Sequence, residues 1–280
     1  LLDLMVVTNE PLLRFRDVTL EVDGRRFLDG AHLSVSKGES VVVAGLPASR
    51  KSFVLRLLLG LPGMDELQVV RHGEVMLDGQ DVFELNGADL QRLRRRVGFV
   101  MRGGGLIENM DIRRNVTLPI QYHFRDNLPD GQLADRRCSQ LLDTFGLNHL
   151  GVPGLRPVAL NAEQRVYVSL ARAFMVEPFL LLLDDIATGL PPVLAKRLCQ
   201  HVYGMPPEFD DVLPDAATGE LTRVVTTADL LGYVEYGDRF VLLDEGQLID
   251  LGDRLAVESS ADSRLARFLG THTPEVTPNG

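Results

Sequence analysis

The chain has 280 residues, 45% hydrophobic and 24% charged, which suits one or two globular domains with a sizeable core. Its formal net charge of −10 argues against a general nucleic-acid-binding face. Two cysteines, Cys138 and Cys199, make no spaced framework, and the six histidines show no metal-ligand spacing, so a reduced compartment without a structural metal is expected. The longest apolar runs, such as FLLLL at 179–183, fall far short of the ~20 residues of a spanning helix. The opening LLDLMVV lacks the basic and long apolar segments of a signal peptide.

In chain order, LLRFRDVTLEV (12–22) and RFLDGAHLSV (26–35) alternate apolar and polar residues around a turn at Asp23-Gly24, which predicts two strands. SVVVAG (40–45) is a short β-branched run fit for a buried strand, and RKSFVLRLLLG (50–60) has helical spacing up to a glycine. GEVMLDGQDV (73–82) predicts a strand pair, ADLQRLRRR (88–96) a short basic helix, and VGFVM (97–101) another strand. Residues 103–160 read as mostly helical, most clearly GQLADRRCSQLLDTFGL (131–147), and LNAEQRVYVSLARAFM (160–175) has a polar start suited to capping. FLLLLDD (179–185) predicts a central parallel strand ending in two acids, and RVVTT (223–227), RFVLLD (239–244) and GQLIDLG (246–252) continue strand–helix units. This alternation argues for an α/β core with a helical insertion. The run RLRRR (92–96) is expected to be a solvated helix face, and 204–220 an inserted surface loop.

The stretch GLPASRKS at 45–52 sits between the buried strand and the helix, the context of a phosphate-binding loop. Such a loop works because successive backbone N–H groups face phosphate, lysine adds charge and serine holds magnesium. Gly45, Lys51 and Ser52 keep those roles. Arg50 replaces the expected glycine, and Pro47 removes an N–H from the nest formed with Leu46, Ala48 and Ser49. Downstream, Asp184 is placed to bind magnesium through water, and Asp185 stands where a general base would stand.

LNAEQ (160–164), SLARAF (169–174), EP (177–178) and DDIATGLPP (184–192), in this order and spacing, resemble the ATP-binding-cassette (ABC) transporter ATPases nearly end to end. RRVGFVMRGGGLIENMDIRRNVTLPI (95–120) is similar to their Q-loop region and VVTTADLL (224–231) to their switch-histidine region. The resemblance implies a P-loop NTPase-like α/β fold with an amino-terminal antiparallel β subdomain and a helical subdomain insertion. It would divide the chain into a core at 1–98 and 159–252, a permease-docking helical subdomain at 99–158, and a closing helix and tail at 253–280. GGGLIENMDIRRNVTLPI and the ending SSADSRLARFLG (259–270) look more narrowly like the ATPase subunit of Mla-type phospholipid transporters that work with MCE proteins.

The same resemblance implies a damaged site. The Q-loop glutamine is Arg102, and the signature LSGGQ becomes Asn161, Ala162 and Glu163 at its serine and glycines. The catalytic glutamate is the shorter Asp185, the D-loop aspartate is Pro191, and the switch histidine is Ala228. No aromatic adenine-stacking residue occupies 20–25, where Leu20 and Val22 stand. ATP and Mg²⁺ are therefore expected to bind weakly or not at all, with Ser52 and Asp184 as the magnesium residues. The implied protein is a peripheral subunit on the cytoplasmic face of the inner membrane. It would pair with integral membrane permease subunits, an MCE protein, and a second ABC subunit in a homo- or heterodimer. A degenerate pseudo-ATPase with a structural or regulatory role is one reading; a slow but genuine ATPase driving phospholipid transport is the other.

Overall fold

The computed structural model describes residues 10–61, 68–124, 132–204, 209, 213, 220–260 and 263–266. Most of the expected loop at 204–220 and the tail beyond 266 therefore lie outside the described residues. β1 (Leu13–Val22) and β2 (Arg25–Val35) pair antiparallel. Their two-residue connection holds Asp23 and Gly24 at φ 49° and 72°, as a hairpin turn twisted like its strands requires. β3 (Ser40–Gly45) is buried along its whole length. A 3-10 turn at Pro47–Ser49 then precedes α1 (Ser52–Leu58). The sequence predicts helix from residue 50, but Arg50 takes the left-handed conformation, φ 49° and ψ 44°, and the helix starts only beyond it.

β4 (Val69–Leu77) begins earlier than its glycine suggests, and its partner β5 is only Gln80–Asp81. α2 (Gly87–Arg94) is capped by the Asn86 side chain, which accepts hydrogen bonds from the amides of Ala88 and Asp89. After β6 (Val97–Val100) come α3 (Ile112–His123), α4 (Leu133–Thr144) and α5 (Ala162–Phe174). Then follow β7 (Leu180–Asp184), α6 (Pro192–Tyr203), β8 (Thr222–Thr227), β9 (Arg239–Asp244), β10 (Gln247–Gly252), α7 (Arg254–Glu258) and α8 (Ser263–Ala266). Strand–helix units do not continue to the end: β9 turns straight into antiparallel β10 through Glu245-Gly246, both at positive φ.

The strands form an antiparallel sheet, β2-β1-β4-β5, and a six-stranded sheet, β10-β9-β3-β8-β7-β6, in which β6, β7, β8, β3 and β9 run parallel. Strands β3, β7, β8 and β9 of the second sheet are buried on both faces, and the pleat sorts their side chains. Val41, Val43, Leu180 and Leu182 face a core shared with α1 and the antiparallel sheet. Val42, Ala44, Leu181 and Leu183 face the core built on α3, α4 and α5. Each fully buried leucine or valine contributes ~1.5–3 kcal/mol of hydrophobic stabilisation.

The run RLRRR is not a solvated face. Arg92 alone points to solvent; Arg94 donates to the carbonyls of Leu59 and Gly60, and Arg95 lies 5.2 Å from the Phe124 ring centre. Arg96, 6% exposed, pairs with Glu177 and donates to the Val176 carbonyl. The apolar stems of these side chains let them pack inward while their heads reach carbonyls, a carboxylate and an aromatic face.

Candidate functional site

Because β3, β8, β7 and β6 are parallel neighbours, the loops at their carboxyl ends leave the sheet along one edge. The register sets Asp184 beside Thr226, Thr227 beside Ala44, and Leu183 beside Val100. Lys51, Ser52, Arg102, Asp184 and Asp185 are thereby brought together.

Gly45 opens the first loop under a steric demand: a Cβ there would lie 2.7 Å from Ser49 Oγ and 3.3 Å from the Leu243 carbonyl oxygen. Leu46, half of whose surface stays near solvent, accepts from the Ser49 amide at 3.0 Å and hydroxyl at 2.7 Å, closing the turn through Pro47 and Ala48. The left-handed backbone at Arg50 costs a non-glycine residue ~1–2 kcal/mol. Its side chain lies over the ring of Phe27, 5.5 Å from the centre, and Arg25 approaches that ring at 5.9 Å. Among the described residues, the amides of Arg50, Lys51 and Ser52 donate to no carbonyl, so three N–H groups remain for an anion.

The two acids play different parts. Asp184 Oδ1 accepts 2.8 Å hydrogen bonds from the hydroxyls of Ser52 and Thr226. Asp185, 2% exposed and at φ 52°, donates its amide to the Thr226 carbonyl. Its Oδ2 is ion-paired with Arg102 and lies 3.5 Å from Lys51 Nζ, while Oδ1 accepts from the Thr188 hydroxyl. Burial pushes the Asp185 pKa up, but the Thr188 hydrogen bond and the charges of Lys51 and Arg102 outweigh it, leaving the carboxyl below its ordinary value. Asp185 is thus ionised and neutralised, with both oxygens engaged.

The remaining candidates make no hydrogen bond or ion pair with this cluster among the described residues. Asn161 caps α5: its side chain accepts from the Gln164 amide at 2.8 Å, and Gln164 returns the bond to the Asn161 amide at 3.0 Å. This reciprocal cap uses the polar atoms of both residues on their own helix. Ala162 is exposed, and Glu163 faces Arg197 of α6 at 3.7 Å. Pro191 sits at the N-cap position of α6, and Ala228 follows Thr227 half-buried, with no titratable group of its own. No hydrogen bond or ion pair among the described residues joins 161–163 to Lys51 or Asp185. Leu20 and Val22 are buried in the core. The aromatic ring beside the loop is Phe27, outside the window searched in the sequence, because the hairpin at Asp23-Gly24 folds β2 back toward Arg50.

A cavity of 620 Å³ lies beside the cluster, bounded by Thr188, Leu190, Thr227, Asp229 and Tyr233. Thr188 connects the two, since its hydroxyl holds Asp185.

The ABC transporter family matches residues 28–188, more than half of the chain. The chain belongs to the ABC transporter family. It is 30% identical to the methionine import ATP-binding protein MetN of Caulobacter vibrioides, over 86% of this chain and 67% of that one. It is 25% identical to the intermembrane phospholipid transport system ATP-binding protein MlaF of Escherichia coli, over 92% of this chain and 88% of that one. The chain spans about two thirds of the methionine and sulfate/thiosulfate import relatives it matches. The structure superposes on cbiO1 of Clostridium perfringens, part of the ABC transporter complex cbiONQ, with a TM-score of 0.71. That alignment covers 95% of this chain and 96% of cbiO1 at 19% identity, which shows a shared fold.

The loop amides and Lys51 suit the polyphosphate of the ATP expected of an ABC protein; Ser52 and Asp184 carry oxygens of the kind Mg²⁺ takes, but they are hydrogen-bonded to each other. Arg102 does not suit the metal: it sets a positive charge on the neighbouring acid.

Proposed function

We propose that this chain is an ABC subunit of a membrane phospholipid transporter that binds nucleotide weakly and hydrolyses it little, serving a structural or regulatory role. One observation carries the reading: Asp185, at the general-base position, is tied down by Lys51 and Arg102. A general base must reach ~3 Å from its water and take up a proton. A carboxylate whose oxygens already face an ammonium, a guanidinium and a hydroxyl is held in its ionised form and is a poor proton acceptor. Loss of a base of this kind commonly costs ~10²–10⁴ in rate.

The signature supports the same reading. In the family its serine and glycines face the γ-phosphate of an opposite subunit; here Asn161 is spent on capping and Glu163 carries a negative charge. With few γ-phosphate contacts, nucleotide gives little preference for one conformation, and conformational coupling needs such a preference. The subunit would then follow a partner ATPase or hold the permease in one state, docking through the helical region at 99–158. Among the described residues no helix is long and apolar enough to cross a membrane, and attachment would come from integral permease subunits, with an MCE protein as a further partner. Lipid as cargo rests on the phospholipid relative, whose match runs along 88% of its length.

Lipid transfer between vesicles, reconstituted with the permease partners, tests the proposal. Scored per folded and assembled complex, Asp185→Asn is expected to leave transfer unchanged within about twofold, although losing the counter-ion of Lys51 makes the chain less stable. Loss of transfer in that variant, with expression and assembly intact, would favour the slow-ATPase reading instead.

A further inference from the structure

Arg102 brings a fixed positive charge to the place where a divalent cation would meet the acids of this site. Its guanidinium is ion-paired with the Asp185 oxygen that Lys51 Nζ also approaches, at 3.5 Å. The other Asp185 oxygen accepts from Thr188, so both oxygens of this carboxylate are already engaged. Magnesium demands a near-octahedral set of oxygens and surrenders its waters reluctantly. At Ser52 and Asp184 it would have to displace the hydrogen bonds that Asp184 Oδ1 accepts from the Ser52 and Thr226 hydroxyls.

We propose that Arg102 takes over the task of the divalent cation, so that the chain binds its nucleoside polyphosphate as the metal-free anion. This rests on the reading of the site as one that holds nucleotide without cleaving it. The planar guanidinium fork matches two phosphate oxygens at once. The Arg102 side chain is 56% exposed and meets Asp185 through Nη2, so its other N–H groups can face a phosphate while the pair holds, whereas the Lys51 side chain is only 4% exposed.

Calorimetric titration of the full chain with ATP, once in excess MgCl₂ and once in excess EDTA, tests this. The two dissociation constants are expected to agree within ~3-fold, and Arg102→Gln is expected to weaken binding in EDTA ~10-fold while restoring a preference for magnesium. Wild-type binding that falls tenfold or more in EDTA, an Arg102→Gln variant that binds as the wild type does, or no ATP binding in either buffer would overturn the proposal. Brisk hydrolysis in magnesium together with equal binding in EDTA would overturn the non-hydrolysing reading and leave the role of Arg102 standing. Magnesium-dependent binding without turnover would do the reverse.

Discussion

Arg102 and Asp185, 83 positions apart in the chain, form an ion pair at the carboxyl ends of β6 and β7. The pair completes a cluster whose buried members are Lys51 and Asp185, so the residue proposed for the general-base position is also the counter-ion of Lys51. This makes Asp185 a structural group, with consequences for stability that are independent of any ligand.

Asp185→Ala is expected to lower the unfolding free energy by ~3–5 kcal/mol, because it leaves the Lys51 ammonium buried without its partner. Arg102 adds less to that figure, since its side chain is 56% exposed and its charge is screened by water. Lys51→Met added to Asp185→Ala is expected to recover most of the loss. Urea unfolding of the two single variants and the double variant checks this; losses that simply add would show that the pair does not couple.

A second buried ion cluster joins the helices to the sheet. Glu177, between α5 and β7, pairs through one oxygen with Arg137 of α4 and through the other with Arg96 at the start of β6. Arg137 is 1% exposed and Arg96 6%. Glu177→Ala is expected to cost ~3–5 kcal/mol by removing the carboxylate that both guanidiniums face. Arg92→Ala, on the exposed face of the same arginine run, should stay within ~0.5 kcal/mol. Thermal unfolding of both variants reads the contrast.

Much of this architecture is legible in the residues. The runs SVVVAG and FLLLLDD announce β3 and β7, since only a strand buried on both faces is apolar throughout. Asn161 and Gln164 announce the start of α5 as a capping box. Other features depend on tertiary context. Arg50 delays α1 because its backbone turns left-handed, which residue identity does not signal outside glycine and asparagine. Phe27 reaches the loop only because a hairpin folds back. The tie of Lys51 and Arg102 to one carboxylate needs β3, β6 and β7 brought to one edge, and no local pattern carries that.

The thiols should be inert in the native protein. Burial pushes Cys138 up to about 11 and Cys199 up to about 12. Since a raised pKa means less thiolate, only ~0.1% of Cys138 and less of Cys199 is ionised at pH 8, and the thiolate is the reactive form. Ellman's reagent at pH 8 is expected to titrate neither thiol until denaturant is added, after which both should react. Rapid reaction of either in the folded chain would contradict their placement.

The central claim is that this chain keeps a phosphate-binding scaffold while its general-base position is locked. Single-turnover hydrolysis of radiolabelled ATP, with the chain in excess and assembled with its permease partners, tests it most directly. The rate is expected to match that of the Lys51→Ala variant within about threefold. A rate ~100-fold or more above that control, abolished by Asp185→Asn, would show that Asp185 is free to act as a base and would contradict the account.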